Sequence, residues 1–241
     1  MAGHNKWSSI KHKKAKTDAQ RGKVFSKLAR EIMMATKLGG QDPDMNPRLR
    51  LALQSAKSAN MPNDNINRAI KKGAGGGDDT NLSEVQYEAY AQHGIGLIIS
   101  ALTDNLNRTI SNIRTIVNKG GGNMAEKGSV AYLFETKGLF IVENTDKLDE
   151  IIDLSIENGA EDVERKEDLS IEITCQPAEF ETIKTALEKN NFDITTAIVT
   201  KIPSNFISIE EEEAMKIIKL IENIEDDDDV QDVFANFEIK N

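Results

Sequence analysis

The segments LFIVE (139–143), LDEIIDLSI (148–156), AEDVER (160–165), LSIEIT (169–174), FETIKTAL (180–187) and FDITTAIVT (192–200) decide the architecture of the chain's second half. LSIEIT alternates apolar and polar positions, the period of a strand with one face buried. LDEIIDLSI and FETIKTAL instead repeat apolar residues every three to four positions, the period of a helix. The order is β-α-β-β-α-β, and the simplest fold that uses it with right-handed crossovers is the split βαβ arrangement of ferredoxin-like domains. Residues 137–203 are therefore expected to be such a domain.

Elements on both sides of this block have to belong together. Upstream, Val85 to Ala91 and Ile95 to Thr103 read as strands joined across Gly94. A helix follows with Leu106, Ile110, Ile113 and Val117 on one face, then a loop through Gly120 to Gly122, then a strand from Val130 to Phe134. Downstream of Pro203, a helix capped by Ser208 with Glu211 as its box partner carries Ala214, Ile217, Ile218, Ile221 and Ile224, and a last strand lies near Val233 to Ile239. A completed βαββαβ unit has no place for these tail elements. They are expected to return to the domain that begins at residue 80, so that residues 80–136 and 204–241 make one discontinuous α+β domain.

The N-terminal third is helical. Thr17 and Gln20 supply a capping box ahead of apolar Val24, Phe25, Leu28, Ile32 and Ala35, and Gly39 with Gly40 stops this helix. Asn46-Pro47 opens a second helix carrying Leu49, Ala52, Leu53 and Ala56, which ends by Pro62; a third runs around Asn65 to Lys72 with Gly73 as its stop. Residues 18–73 thus form a three-helix domain, residues 1–17 a polar arm, and residues 74–79 a glycine-rich linker. The fold class is α+β: a three-helix domain followed by two α/β sandwich domains, one ferredoxin-like and inserted into the other.

Charge divides the chain at the same linker. The first 72 residues carry 16 Lys plus Arg against 5 Asp plus Glu, and the remaining 169 carry 14 against 35, although the whole chain is only −10. A basic module on an acidic body points to a polyanion as partner, because each Lys or Arg placed on a phosphate releases condensed counterions. On the first helix Lys23, Lys27, Arg30 and Lys37 fall within an arc of roughly 80°, opposite the apolar set. Lys6, Lys11, His12, Lys13, Lys14, Lys16 and Arg21 extend the field upstream, and Arg48, Arg50, Arg68, Lys71 and Lys72 broaden it from the other helices. Trp7, the one tryptophan, stands inside the basic arm, either to stack on an unpaired base or to pin the arm to the body. Thr103 to Thr109 lies where a strand yields to a helix, so either its free amides and Arg108 take an anion or Asp104 or Asn105 simply caps the helix.

Other chemistries find no footing. Gly120 to Gly122 follows a helix rather than opening one, unlike a phosphate loop. Asp226 to Asp229 lack the alternating spacing of a calcium loop and read as a solvated loop, and His4 and His12 are too few for a metal. Cys175 continues the apolar parity of Ile171 and Ile173, the mark of a core thiol, and as the single cysteine it fits a reducing compartment. No catalytic set, metal or cofactor is expected, no stretch is long and apolar enough for a membrane span, and the expected location is cytoplasmic.

Gly3-His4-Asn5-Lys6-Trp7, Ile10-Lys11-His12-Lys13, Arg21-Gly22-Lys23, Met61-Pro62, Arg68-Ala69-Ile70-Lys71-Lys72-Gly73, Thr103-Asp104-Asn105-Leu106-Asn107-Arg108-Thr109 and Gly128-Ser129-Val130 resemble, in this order, the signatures of the YebC/PmpR family. The chain departs from the family pattern at Ala89 to Gly94, where a turn rich in glycine and proline is usual. The resemblance implies a cytoplasmic three-domain protein without enzymatic activity, described widely as a DNA-binding transcriptional regulator; relatives, including a mitochondrial activator of cytochrome oxidase translation, have been assigned to the ribosome. The expectation is a monomeric, non-enzymatic regulator docking on DNA or ribosomal RNA through Lys6, Trp7, Lys11, His12, Lys13, Lys14, Lys16, Arg21, Lys23, Lys27, Arg30, Arg68, Lys71, Lys72 and Arg108. An adaptor whose acidic body takes a basic protein partner is the other class.

Overall fold

The computed structural model describes residues 18–75, 82–143, 147–166 and 169–240, so the arm, the Thr17 cap and most of the expected linker lie outside the described residues. Three helices come first: α1 (Asp18–Gly39), α2 (Pro47–Ser58) and α3 (Asn63–Gly73). Ile32, Leu49, Ala56, Met61, Ile66 and Ala69 belong to their shared core. Asn46 fastens the first joint: its Oδ1 accepts the Leu49 N–H at 3.1 Å, and its Nδ2 donates to the carbonyls of Ala35 and Gly40 at 2.8 and 2.9 Å. Gly40, at φ +86°, takes the left-handed position that closes α1. Gly73 has a different role from the stop expected of it. It is buried within the last turn of α3, and a Cβ there would meet the Met33 carbonyl and stand 2.8 Å from the Thr36 Cβ. Glycine is required because α3 and α1 approach closely, not because the helix must end.

The first sheet has the order β3-β1-β2-β9, from β1 (Ser83–Tyr90), β2 (Gly96–Thr103), β3 (Asn123–Ala125) and β9 (Val230–Ala235), with every pairing antiparallel. Helices α4 (Leu106–Lys119) and α7 (Glu211–Glu225) contribute Ile113, Val117, Ile217, Ile221 and Ile224 to a core with Leu97 and Ile99. Ile98, on the opposite side of β2, meets Val130 and Phe134. Burial on both faces explains why β2 reads GLIISALT rather than alternating. Strand β9 thus hydrogen-bonds to β2 across more than a hundred intervening residues.

Those intervening residues include the second sheet. It is built from β4 (Phe134–Val142), α5 (Leu148–Glu157), β5 (Ala160–Arg165), β6 (Ile171–Cys175), α6 (Phe180–Lys189) and β7 (Ile194–Pro203), with strand order β5-β6-β4-β7 and all pairs antiparallel. This is the ferredoxin-like arrangement, inserted between elements of the first α/β layer. Its core stacks Phe140 on Phe180 with ring centroids 4.7 Å apart and includes Cys175, whose thiol is pushed up to about 11 by burial and by the nearby Glu161 and Glu179 charges.

Two local expectations are corrected. Residues 130–133 are not a strand: a 3-10 turn spans Ala131–Leu133 and β4 begins at Phe134. The buried Glu88 carboxylate accepts the N–H groups of Gly128, Val130 and Ala131 at 2.7, 2.6 and 2.9 Å, which diverts those amides from a strand ladder. Ser208 does not cap α7, which starts at Glu211 behind Glu210. It lies in β8 (Ile207–Ile209), paired in parallel with β10 (Phe237–Ile239), and its hydroxyl is taken by Glu238 across that pair.

Replacing Glu88 by Ala should cost about 2–3 kcal/mol in urea unfolding, since buried amides lose their acceptor. Burial pushes the Glu88 carboxyl up, but the three amides and the Lys127 charge outweigh it and hold the group below its ordinary value. A lowered folded pKa stabilises fully above the unfolded value of about 4.3 and loses that contribution as pH falls through the folded one. The stability gap between wild type and Glu88→Ala should therefore narrow on acidification through that window. Gly73→Ala should destabilise by about 1–3 kcal/mol through overpacking against α1, read as a lower midpoint of thermal unfolding.

Candidate nucleic-acid interface

The basic row of α1 does not face open solvent. Lys23, Lys27 and Arg30, at i, i+4 and i+7, meet the turn that joins α7 to β9. The Lys23 ammonium lies 2.9 Å from the Asp226 carboxylate and donates to the Asp226 carbonyl at 3.1 Å, and Lys27 donates to the Glu225 carbonyl at 2.7 Å. These carbonyls belong to the end of α7, whose last turn contains no basic residue of its own. Two lysines from another domain thus satisfy orphan carbonyls and the negative end of that helix dipole.

Asp229 is the centre of the contact. Its side chain is only 4 % exposed, and it accepts from Arg108 Nη2 and from the Thr109 hydroxyl, both at 2.7 Å, with the Thr103 hydroxyl at 3.3 Å and Arg30 Nη2 at 3.3 Å. Its carbonyl accepts the Leu102 N–H at 2.8 Å. Burial pushes this carboxyl up, but hydrogen bonds from Arg108 and Thr109 and the charges of Arg108 and Arg30 outweigh it, leaving the group below its ordinary value. Asn105 caps α4 by accepting the Arg108 N–H at 3.1 Å, while Arg108 also pairs with Asp104 at 2.8 Å. Of the two readings of the 103–109 segment, Asn105 is the cap; the Arg108 side chain meets an anion, but through its guanidinium together with the Thr103 and Thr109 hydroxyls and not through free helix amides. The anion is the chain's own Asp229. The expectation that residues 226–229 form a solvated loop is corrected for Asp229, because the closing of α4 and α1 over it removes it from water.

Other basic residues of the helical domain are also committed to contacts within the chain. Arg48 bridges Glu31 of α1 and Glu84 of β1 at 2.7 and 2.9 Å, which raises its pKa further. Lys37 donates to the Leu82 carbonyl, Arg50 lies 3.4 Å from Glu181, and Gln54 accepts from Lys184 of α6 at 2.7 Å. The outer face of α3 differs. Arg68, Lys71 and Lys72 are exposed there, and with Asp64 and Asn67 the first two line a shallow depression. Among the described residues Arg68 bonds only neutral oxygens, the Asp64 carbonyl and Asn65 Oδ1. Arg21 is exposed at the start of α1. Lys6, Trp7, Lys11, His12, Lys13, Lys14 and Lys16 lie outside the described residues.

The expected site residues thus fall into separate groups: Lys23, Lys27, Arg30 and Arg108 gathered on one acidic turn, and Arg68, Lys71 and Lys72 on α3. Asp229 is the residue that sequence reasoning missed. Four identical aspartates in a row carry one signal that could have singled it out, namely that Asp229 directly precedes the apolar start of β9. Among the described residues no group of three or more His, Cys, Asp or Glu is placed to hold a metal ion, and no helix is long and apolar enough to cross a membrane.

Known proteins resemble this chain along its whole length. Residues 5–76 match the TACO1/YebC protein N-terminal domain and residues 82–237 match the TACO1/YebC second and third domain. A protein of Natranaerobius thermophilus named "Probable transcriptional regulatory protein" is 50% identical over 244 residues, covering 99% of this chain and 97% of its own. One of the same name from Citrifermentans bemidjiense is 49% identical over 239 residues, covering 99% and 96%. The crystal structure of a conserved hypothetical protein from Aquifex aeolicus superposes with a TM-score of 0.86 at 49% identity, covering 98% of each chain. With both domain profiles matched in order and the fold shared end to end, the chain belongs to the TACO1/YebC family.

Proposed function

We propose that this protein is a non-enzymatic regulator of gene expression that binds DNA through its helical domain, with the basic arm adding phosphate contacts. The observation that carries this reading is the outer face of α3, where Arg68, Lys71 and Lys72 are exposed with no carboxylate paired to them among the described residues. Exposed cations that the fold leaves unneutralised are the electrostatic footprint of a polyanion site. The joint between α2 and α3, residues 59–62, is turned sharply by Asn60 at φ 57° and is as short as the turn of a helix-turn-helix. That favours duplex DNA, with α3 as the helix presented to a groove. The names carried by the relatives support the regulatory role.

The triple variant Arg68→Ala, Lys71→Ala, Lys72→Ala should bind a labelled DNA duplex more weakly in fluorescence anisotropy. The slope of log affinity against log salt should shrink by about 2–3, as three lost phosphate contacts require. Its thermal unfolding should match wild type, since the three side chains are exposed. Unchanged affinity and salt slope would refute the assignment of α3. Crosslinking in cells that recovers ribosomal RNA without promoter DNA would move the target from DNA to the ribosome.

A further inference from the structure

The turn that follows α7 is an anionic strand lying along a row of cations. From Glu225 to Asp229 it offers two carbonyls and two carboxylates to Lys23, Lys27, Arg30 and Arg108, contributed by α1 and α4 from different domains. Phosphate oxygens on a nucleic-acid backbone would ask for the same donors, since Lys, Arg, Thr hydroxyls and helix N-termini are the groups that contact phosphates. The occupancy is also incomplete. Arg30 Nη1 is buried with no hydrogen-bond partner among the described residues, so part of that guanidinium is unused.

We propose that this surface, shared by α1 and the start of α4, is a second docking site for the phosphodiester backbone, and that the 225–229 turn covers it as an internal stand-in until a bound strand displaces it. The inference rests on the reading that the protein binds nucleic acid, and it adds a regulated site to the exposed face of α3. A strand that engages α3 first raises the local phosphate concentration at the covered row, and exchange then replaces carboxylate pairs by phosphate pairs. The Asp226 end is the outer end of the turn. Its side chain is 73% exposed and its partner Lys23 is 42% exposed, so this pair opens with least loss of burial. Asp229 is the anchored end. Because the covering anion and the incoming one compete for the same cations, binding is coupled to release of the helical domain from the turn.

The test uses the full chain with two variants of equal charge. Asp226→Asn removes the carboxylate that pairs with Lys23, whereas Asp228→Asn removes an exposed carboxylate of the same turn that, among the described residues, is not paired with α1. If the turn covers the site, Asp226→Asn should tighten binding of a labelled mixed-sequence DNA duplex about two- to fivefold, the range expected for releasing one exposed ion pair. Asp228→Asn should tighten it less. Amide hydrogen exchange across residues 225–230 should also quicken when duplex is added to wild type. Equal effects of the two variants, or a turn whose exchange is unchanged in the complex, overturns the displacement while leaving binding through α3 intact. Absence of any binding by wild type overturns both.

Discussion

The buried carboxylate of Asp229 is the constraint on which the relation between the domains depends. It lies where the end of β2, the first turn of α4, the start of β9 and the basic face of α1 converge, and it receives donors from three of them. A buried carboxylate is costly unless its lone pairs are filled. Here guanidinium groups and hydroxyls fill them, so the turn, α4 and the helical domain constrain one another. The same group makes sense of the Thr103 to Thr109 segment, in which Thr103, Arg108 and Thr109 all converge on it while Asn105 caps the helix beneath.

Placing this anion against α1 changes the meaning of the charge asymmetry. Along the chain the positive residues are segregated at one end. In space the cations have different fates: Lys23, Arg30 and Arg48 pair with carboxylates across domain boundaries, whereas Arg68, Lys71 and Lys72 of α3 are exposed. A domain that looks uniformly basic in sequence is therefore a basic domain with one face spent on attachment. At ordinary ionic strength the field of the exposed cations reaches only about 8–10 Å before salt screens it, so it acts mainly near the outer face of α3.

The ferredoxin-like unit was legible because its elements are short, strongly periodic and in a diagnostic order, and Ile171, Ile173 and Cys175 do point into one core as their parity requires. Leftover tail elements implied the return of the chain to the first sheet, which the pairing of β9 with β2 realises. The misread stretches share a cause. At residues 128–131 the backbone amides bond to the Glu88 side chain forty positions away, and at Ser208 a cross-strand partner thirty positions away takes the hydroxyl. In each case a distant side chain overrides a local pattern. Gly73 belongs with them, since a helix-ending glycine and a glycine at a helix crossing look alike until the neighbouring helix is in place.

By itself the amino-acid sequence determined the order of the helices and of the ferredoxin-like strands, the core faces, the start of α2 at Asn46 and the family, because these depend on periodicity and on contacts within a few residues. Tertiary structure alone decided which groups close over Asp229 and which of the basic residues are spent inside the molecule. The physical reason is that ion pairing between Lys23 and Asp226, or Arg30 and Asp229, joins residues about two hundred positions apart, and no local property of either segment encodes the other.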